Sequence, residues 1–229
     1  MTGKNHLPYQ NIELANGFAH IYMHIIGVMA DDVTVGLSAD ELRRAGEHKL
    51  ATDRKRYIQA HLFFRKVLSS YINTAPSDIV FSYTDYGQPL LVQKPGEKPV
   101  YFNISYCGTR IMVGVSSYPI GVDIELIRDI DTLDMDGLSQ TLFSAGERRY
   151  LQLIDDLQEK REYFFKVWTL KEAFIKGMGT GVSYGLQRFT ALPGMGSAAP
   201  VLLCNEKGWV LKQLNSESYA AAAAIHINL

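Results

Sequence analysis

The chain has 229 residues, 47% hydrophobic and 21% charged, which is enough apolar material for one large core or two small ones packed together. Its 23 Lys and Arg stand against 24 Asp and Glu, a formal charge of −1 that excludes broad electrostatic binding to nucleic acid and leaves partner choice to a local site. The two cysteines, Cys107 and Cys204, lack metal-ligand spacing and exclude a disulfide framework or zinc ribbon, so both read as buried thiols. The opening MTGKNHLPYQN lacks a leader pattern and no apolar run reaches membrane-spanning length, so the expected compartment is the cytosol, with no membrane partner.

An apolar segment, Phe18–Val28, comes first. In the stretch that follows, Ser38 and Glu41 have capping-box spacing and predict a helix start. A second helix is expected from about Thr52 and Asp53. Its apolar positions Tyr57, Ala60, Phe64, Val67, Leu68 and Tyr71 recur at helical spacing, which leaves Arg54, Lys55, Arg56, Arg65 and Lys66 toward water. His61, within that helix, has no partner at ligand spacing and reads as structural rather than metal-binding. Strand, turn and strand follow over Ser77–Val92, with YGQP at the turn, and the run from Val100 to Ile127 reads as two or three strands. Two helices with a break at Ser144–Gly146 come next, then a strong helix in EKREYFFKVWTLKEAFIKGMG that Gly177 and Gly179 stop. GMGTG closes a helix rather than opening one, and so is no nucleotide loop. Strands are expected near Val201–Cys204 and Gly208–Leu214. The alanine-rich end, Tyr219–Ile227, reads as a strand because the run is short and ends in Ile-His-Ile alternation.

The order strand, helices, strands occurs twice, which predicts an α+β protein with a pseudo-twofold arrangement of two similar halves and a cleft between them. The expected division is residues 1–118 and 119–229.

Within IGVDIE, Asp123 and Glu125 are two apart, so on a strand they share one face while Val122 and Ile124 enter the core. Adjacent like charges need a counterion, and a hard divalent cation is the simplest; solvated acids on an edge strand are the bland reading. In WTLKEAFIK, Trp168, Glu172 and Lys176 stack four apart on one helix face, with Lys171 beside it. Glu172 and Lys176 are then an ordinary surface pair, or they join the strand acids around a metal and a phosphate.

IGVDIE, LFSAGERRYL and VWTLKEAFIKGMGTG, in this order and separation, resemble the Sfp-type 4′-phosphopantetheinyl transferases, and FNIS, YGQP and the ADELRRAGEHKLATDRKRYIQAHLFFRKVL region extend the likeness over most of the chain. The resemblance implies a monomer that moves phosphopantetheine from coenzyme A to a serine of an apo acyl or peptidyl carrier protein and releases 3′,5′-ADP. It implies Asp123, Glu125 and Glu172 as ligands of Mg²⁺, with Mn²⁺ as an alternative, and Lys176 as a pyrophosphate contact. Glu172 or Glu147 becomes the base, directly or through water. Arg44, Arg56, Gln88, Pro89, Ser105 and Tyr106 become coenzyme A contacts. It assigns the phosphate contacts to the first half, and the metal site and catalytic helix to the second.

Two positions depart from the family pattern: Tyr106 stands where histidine is usual and Gln88 where lysine is frequent, so a cation is lost at each unless Arg44, Arg56 or Arg110 compensates. An acidic carrier would dock on the segment between the signatures, with cations from Arg148, Arg149, Lys160 and Arg161 and apolar contacts from Leu142, Phe143 and Leu151; the bland reading makes these solvated charges and core. A non-catalytic carrier-binding relative or a metal-dependent phosphohydrolase would use the same acids, although no second-metal cluster of His or Asp is visible.

Overall fold

The computed structural model of the chain describes residues 10–14, 16–26, 34–193, 202–204, 206–215 and 218–227. In chain order the elements are β1 (Gln10–Glu13), β2 (Phe18–Ile25), α1 (Ala39–Glu47), α2 (Ala51–Ile72), β3 (Phe81–Tyr83), β4 (Pro89–Leu91), β5 (Tyr101–Cys107), β6 (Arg110–Ser116), β7 (Ile120–Leu126), α3 (Thr132–Leu142), α4 (Ala145–Gln152), α5 (Leu157–Met178), β8 (Thr190–Leu192), β9 (Leu202–Cys204), β10 (Trp209–Asn215) and β11 (Tyr219–His226). No helix among the described residues is long and apolar enough to cross a membrane.

The strands form an antiparallel four-stranded sheet in the order β1-β2-β6-β5 and an antiparallel three-stranded sheet in the order β10-β11-β7, with the short pairs β3-β4 and β8-β9 beside them. Each larger sheet carries one 22-residue helix. Phe64, Val67 and Leu68 of α2 pack on Tyr22, Phe102, Val113 and Val115. On the second sheet, Leu170, Ala173 and Phe174 of α5 pack on Leu211, Ala222 and Ala224. The opposite sheet faces meet each other through Ile21, Met112, Ile120, Val122, Ile124, Ala221 and Ala223. The alanine run is therefore a strand squeezed between two layers. Burial on both faces overrides its helical propensity, and small side chains let both layers approach.

Where the sheets meet edge to edge there is no backbone ladder. β5 instead offers side-chain acceptors to the amides of β7: Asn103 Oδ1 accepts from Val122 (3.0 Å), Ser105 Oγ from Ile124 (3.4 Å) and Cys107 Sγ from Leu126 (3.2 Å). Cys107 is thus a half-buried acceptor at this seam rather than a fully buried core thiol, and the side chain of Cys204 lies outside the described residues.

Several expectations need correction. Arg65, expected toward water, is 1% exposed: its guanidinium is bound by Glu41 and by the carbonyls of Pro76 and Ile79. Burial alone would raise the Glu41 carboxyl, but hydrogen bonds from His61, Arg65 and the Ser38 amide outweigh it and hold the group at about 2. Phe143 and Leu151 are core residues and Leu142 is partly buried, so none of them forms an open docking surface. Arg148 is tied to the Phe143 carbonyl, and Arg161 to Ile130 and Asp129. Strands β1 and β8 were not anticipated.

Gly179, in the left-handed region at φ 68°, ends α5, whereas Gly177 lies inside the helix. Its role is close approach. A Cβ on Gly121 of β7 would sit 1.9 Å from the Ala173 carbonyl oxygen and 2.2 Å from the Gly177 nitrogen, so the backbones of strand and helix touch there. Gly121→Ala is expected to cost about 3 kcal/mol in urea unfolding, because backbone cannot give way as a side chain can. Gly46→Ala, whose Cβ meets nothing within 4 Å in helical α1, is expected to gain about 0.5–1 kcal/mol in the same assay.

Candidate active site

The contact at Gly121 brings the acids of β7 against α5. Asp123 and Glu125 alternate with Val122 and Ile124, which enter the sheet–sheet core. The Lys176 ammonium lies 2.5 Å from Asp123 Oδ1 and 3.2 Å from Ser105 Oγ, and Ser105 also donates to Asp123 Oδ1 at 2.9 Å. Asp123 is 2% exposed, and its second oxygen, Oδ2, is buried with no hydrogen-bond partner. That orphaned oxygen is the least stable feature of the site, since burying an unpaired carboxylate oxygen is costly.

Glu172 and Glu125 are half-buried. Burial, and then the charge of Asp123, raise the carboxyl of each above the usual range, with Lys176 opposing. Glu125 adds a smaller upward push on Glu172. Among the described residues no three His, Cys, Asp or Glu side chains converge into a ready-made cation cage, and the Lys176 ammonium is the cation that meets Asp123. The donor set nonetheless suits a hard divalent ion: it offers oxygen ligands, an excess of negative charge and one unsatisfied carboxylate oxygen.

Glu172 and Lys176 line a cavity of about 250 Å³ with Tyr86, Gln88, Asn103 and Ile104. Gln88 is anchored through its side-chain amide to the Lys176 carbonyl at 3.0 Å, which pins the β3–β4 turn to the end of α5. Ile104 also lines a second cavity, of about 410 Å³, with His48, Arg56, Tyr57, His61 and Tyr106. The two spaces thus abut along β5. Tyr106 is 68% exposed at the second one.

Other expected contacts lie elsewhere. Pro89 lines a third cavity, of about 590 Å³, with Trp209, His226 and Gln88, which also lines the first. Arg44 pairs with Asp40 and sits over the Tyr83 ring, and Arg110 sits over Tyr219; neither lines the cavity that holds Arg56.

Glu147 is not placed to act as a base. It is fully buried, its carboxylate accepts from the amides of Ser144 (2.7 Å) and Ala191 (2.6 Å), and it pairs with Lys171 at 2.9 Å. Lys171, 1% exposed, completes its shell with the carbonyls of Leu186 and Phe189. Both carboxylate oxygens of Glu147 are thus engaged inside the protein, away from solvent. The capping-box spacing of Ser144 and Glu147 was the sequence signal for this role.

Clustered carboxylates and an ammonium, mounted on a strand and helix in contact beside a cavity, are groups of the kind that metal-assisted chemistry at phosphorus employs. The family model described as 4′-phosphopantetheinyl transferase superfamily matches residues 119–224, and one described as 4′-phosphopantetheinyl transferase, N-terminal, matches residues 31–117. The 4′-phosphopantetheinyl transferase HetI of Nostoc sp. is 29% identical over 84% of this chain and 79% of its own length. A 4′-phosphopantetheinyl transferase of Bacillus subtilis is 30% identical over 70% and 68%, and the 4′-phosphopantetheinyl transferase Sfp of Bacillus subtilis strain 168 is 34% identical over 60% and 58%. The match to Sfp therefore spans less than two thirds of that relative. The chain belongs to the 4′-phosphopantetheinyl transferase superfamily and to its Sfp-type members.

Proposed function

We propose that the protein transfers 4′-phosphopantetheine from coenzyme A to a serine hydroxyl of an apo acyl or peptidyl carrier protein, releasing 3′,5′-ADP. The observation that carries this reading is the buried Asp123 carboxylate, held on one oxygen by Lys176 and Ser105 and unsatisfied on the other, while Lys176 and Glu172 beside it line a cavity. Asp123, Glu125 and Glu172 would hold Mg²⁺, which when bound supplies charge neutralisation for the pyrophosphate. Lys176 offers its ammonium to the phosphate oxygens as charge develops on the leaving group. Glu172, whose carboxyl is raised by burial and by Asp123, accepts the proton that the carrier serine loses as it attacks the β-phosphorus. Ser105 orients Asp123. The nucleotide end of the donor lies in the cavity of Arg56 and Tyr106, so residues 1–118 supply the phosphate contacts and residues 119–229 the metal ligands and helix.

The test is incubation with Mg²⁺, coenzyme A and apo carrier, followed by intact-mass measurement of the carrier. A carrier heavier by one phosphopantetheine supports the proposal. Phosphate release without carrier modification points to hydrolysis, and complex formation alone to a binding module; either result overturns it.

A further inference from the structure

Along the seam between β5 and β7 one pattern occurs twice, displaced by two residues. Ser105 Oγ accepts from the Ile124 amide and donates to the carboxylate of the residue before it, Asp123 Oδ1, at 2.9 Å. Cys107 Sγ accepts from the Leu126 amide and donates to the carboxylate of the residue before that, Glu125 Oε2, at 3.6 Å, a length that suits the larger sulfur atom. Asn103, the remaining rung, meets the Val122 amide through a carbonyl oxygen, and the residue before Val122 is Gly121, which has no side chain to receive a proton. A group that accepts and donates at once therefore stands opposite each acid of β7, and an amide carbonyl stands where there is no acid.

Glu125 needs such a partner more than Asp123 does. Asp123 is buried and held by Lys176 as well as Ser105, whereas Glu125 is half-buried and has one more side-chain torsion. A long carboxylate that turns freely gives up that freedom whenever it binds a cation, and a hydrogen bond already in place removes the cost beforehand. With Oε2 on the thiol, Oε1 is the oxygen left to offer, as Oδ2 is on Asp123.

We propose that Cys107 is a positioning residue for Glu125: its thiol holds one carboxylate oxygen so that the other is presented to the divalent cation, as Ser105 does for Asp123. The inference rests on the transferase reading and names a residue outside the three acids that acts on the cation through one of them. Leu126 is 38% exposed, so water can satisfy its amide when the sulfur is removed, and little stability depends on that bond.

The experiment titrates Mn²⁺ into carrier-free protein saturated with coenzyme A and reads unbound Mn²⁺ by electron paramagnetic resonance, against a blank of coenzyme A alone. No turnover is needed, and saturation matters because Cys107 also lines the second cavity. Cys107→Ala and Cys107→Val, neither of which can donate, are each expected to lose about tenfold in Mn²⁺ affinity, the usual effect of removing the partner behind a metal ligand. Cys107→Ser, which still donates and accepts, should stay within about threefold of wild type. In a Glu125→Gln background the alanine substitution should cost no more than about twofold, because the carboxylate it served is gone. Wild-type Mn²⁺ affinity in Cys107→Ala or Cys107→Val, beside a wild type that modifies carrier, overturns this inference alone, as does a loss that persists in the Glu125→Gln background or that serine does not rescue. A wild type that binds no Mn²⁺ also overturns it, and if that protein fails to modify carrier the transferase reading falls with it.

Discussion

Asp123→Asn is expected to reduce carrier modification by about a thousandfold or more while the protein still folds. The asparagine keeps an oxygen for the Ser105 hydroxyl, and Lys176, whose side chain is 31% exposed, can turn to water. What is lost is the negative charge and the unsatisfied oxygen. A thermal melt separates this from misfolding. Glu125 and Glu172 have carboxyls raised by burial and by Asp123, so they bind protons more tightly folded than unfolded. Their contribution to stability is therefore greatest below the ordinary glutamate range and is lost as pH rises through the raised values. Mg²⁺ should recover it in wild type at neutral pH, raising Tm. In Asp123→Asn the penalty shrinks because the repelling charge is gone, and the Mg²⁺ response should shrink with it. Near-normal turnover, or an undiminished Mg²⁺ shift in Tm, would remove Asp123 from the site.

The largest loss of stability is expected from cutting the Glu147–Lys171 pair on one side. Glu147→Ala should cost about 3–5 kcal/mol in urea unfolding, because it leaves an ammonium buried against carbonyls with no counter-charge and strips the amides of Ser144 and Ala191 of their acceptor. Burial already lowers the Lys171 ammonium, and Glu147 is what opposes that. Lys171→Met with Glu147→Gln should recover part of the loss, since no charge remains buried and the amide oxygen still accepts from one of the two backbone donors. The same variants decide the catalytic question. In the folded fraction of Glu147→Gln, kcat should stay within a few-fold of wild type; a fall of a hundredfold or more at unchanged stability would restore Glu147 as the base.

Much of this was legible in the sequence because it follows from short-range periodicity. The two-residue spacing of Asp123 and Glu125 set their common face, the four-residue spacing of Glu172 and Lys176 set theirs, and the alternation at the end of the alanine run outweighed helix propensity. Illegible were the choices made by partners distant in sequence. Nothing local to Arg65 says that Glu41, 24 residues away, will draw it inside, and nothing in the α2 pattern separates it from Arg54 or Lys66. Glu147 sits in a signature and reads as chemistry until Lys171 and the Ala191 amide close around it. Gly177 reads as a stop from composition alone, and only the strand beneath it shows that the helix needs a residue without a side chain there. The imidazoles of the second cavity were visible as residues but not as neighbours, because α1, α2 and β5 come together only in the fold.

The side-chain seam between β5 and β7 has a mechanical consequence. A main-chain ladder has a rise and pitch that are the same whatever residues compose it, so mutation tunes it poorly. Here the spacing of two sheets is set by the reach of an amide, a hydroxyl and a thiol in succession. Ser105 is the middle rung and also touches Asp123, so the rungs on either side act on it as two ends of a lever. Altering the length of Asn103 or Cys107 would tilt the strand and re-aim the Ser105 hydroxyl by fractions of an ångström, although neither residue hydrogen-bonds Asp123. Selection or design can thus trim the geometry of the buried carboxylate from outside it, one rung at a time, without replacing a single group that does the chemistry.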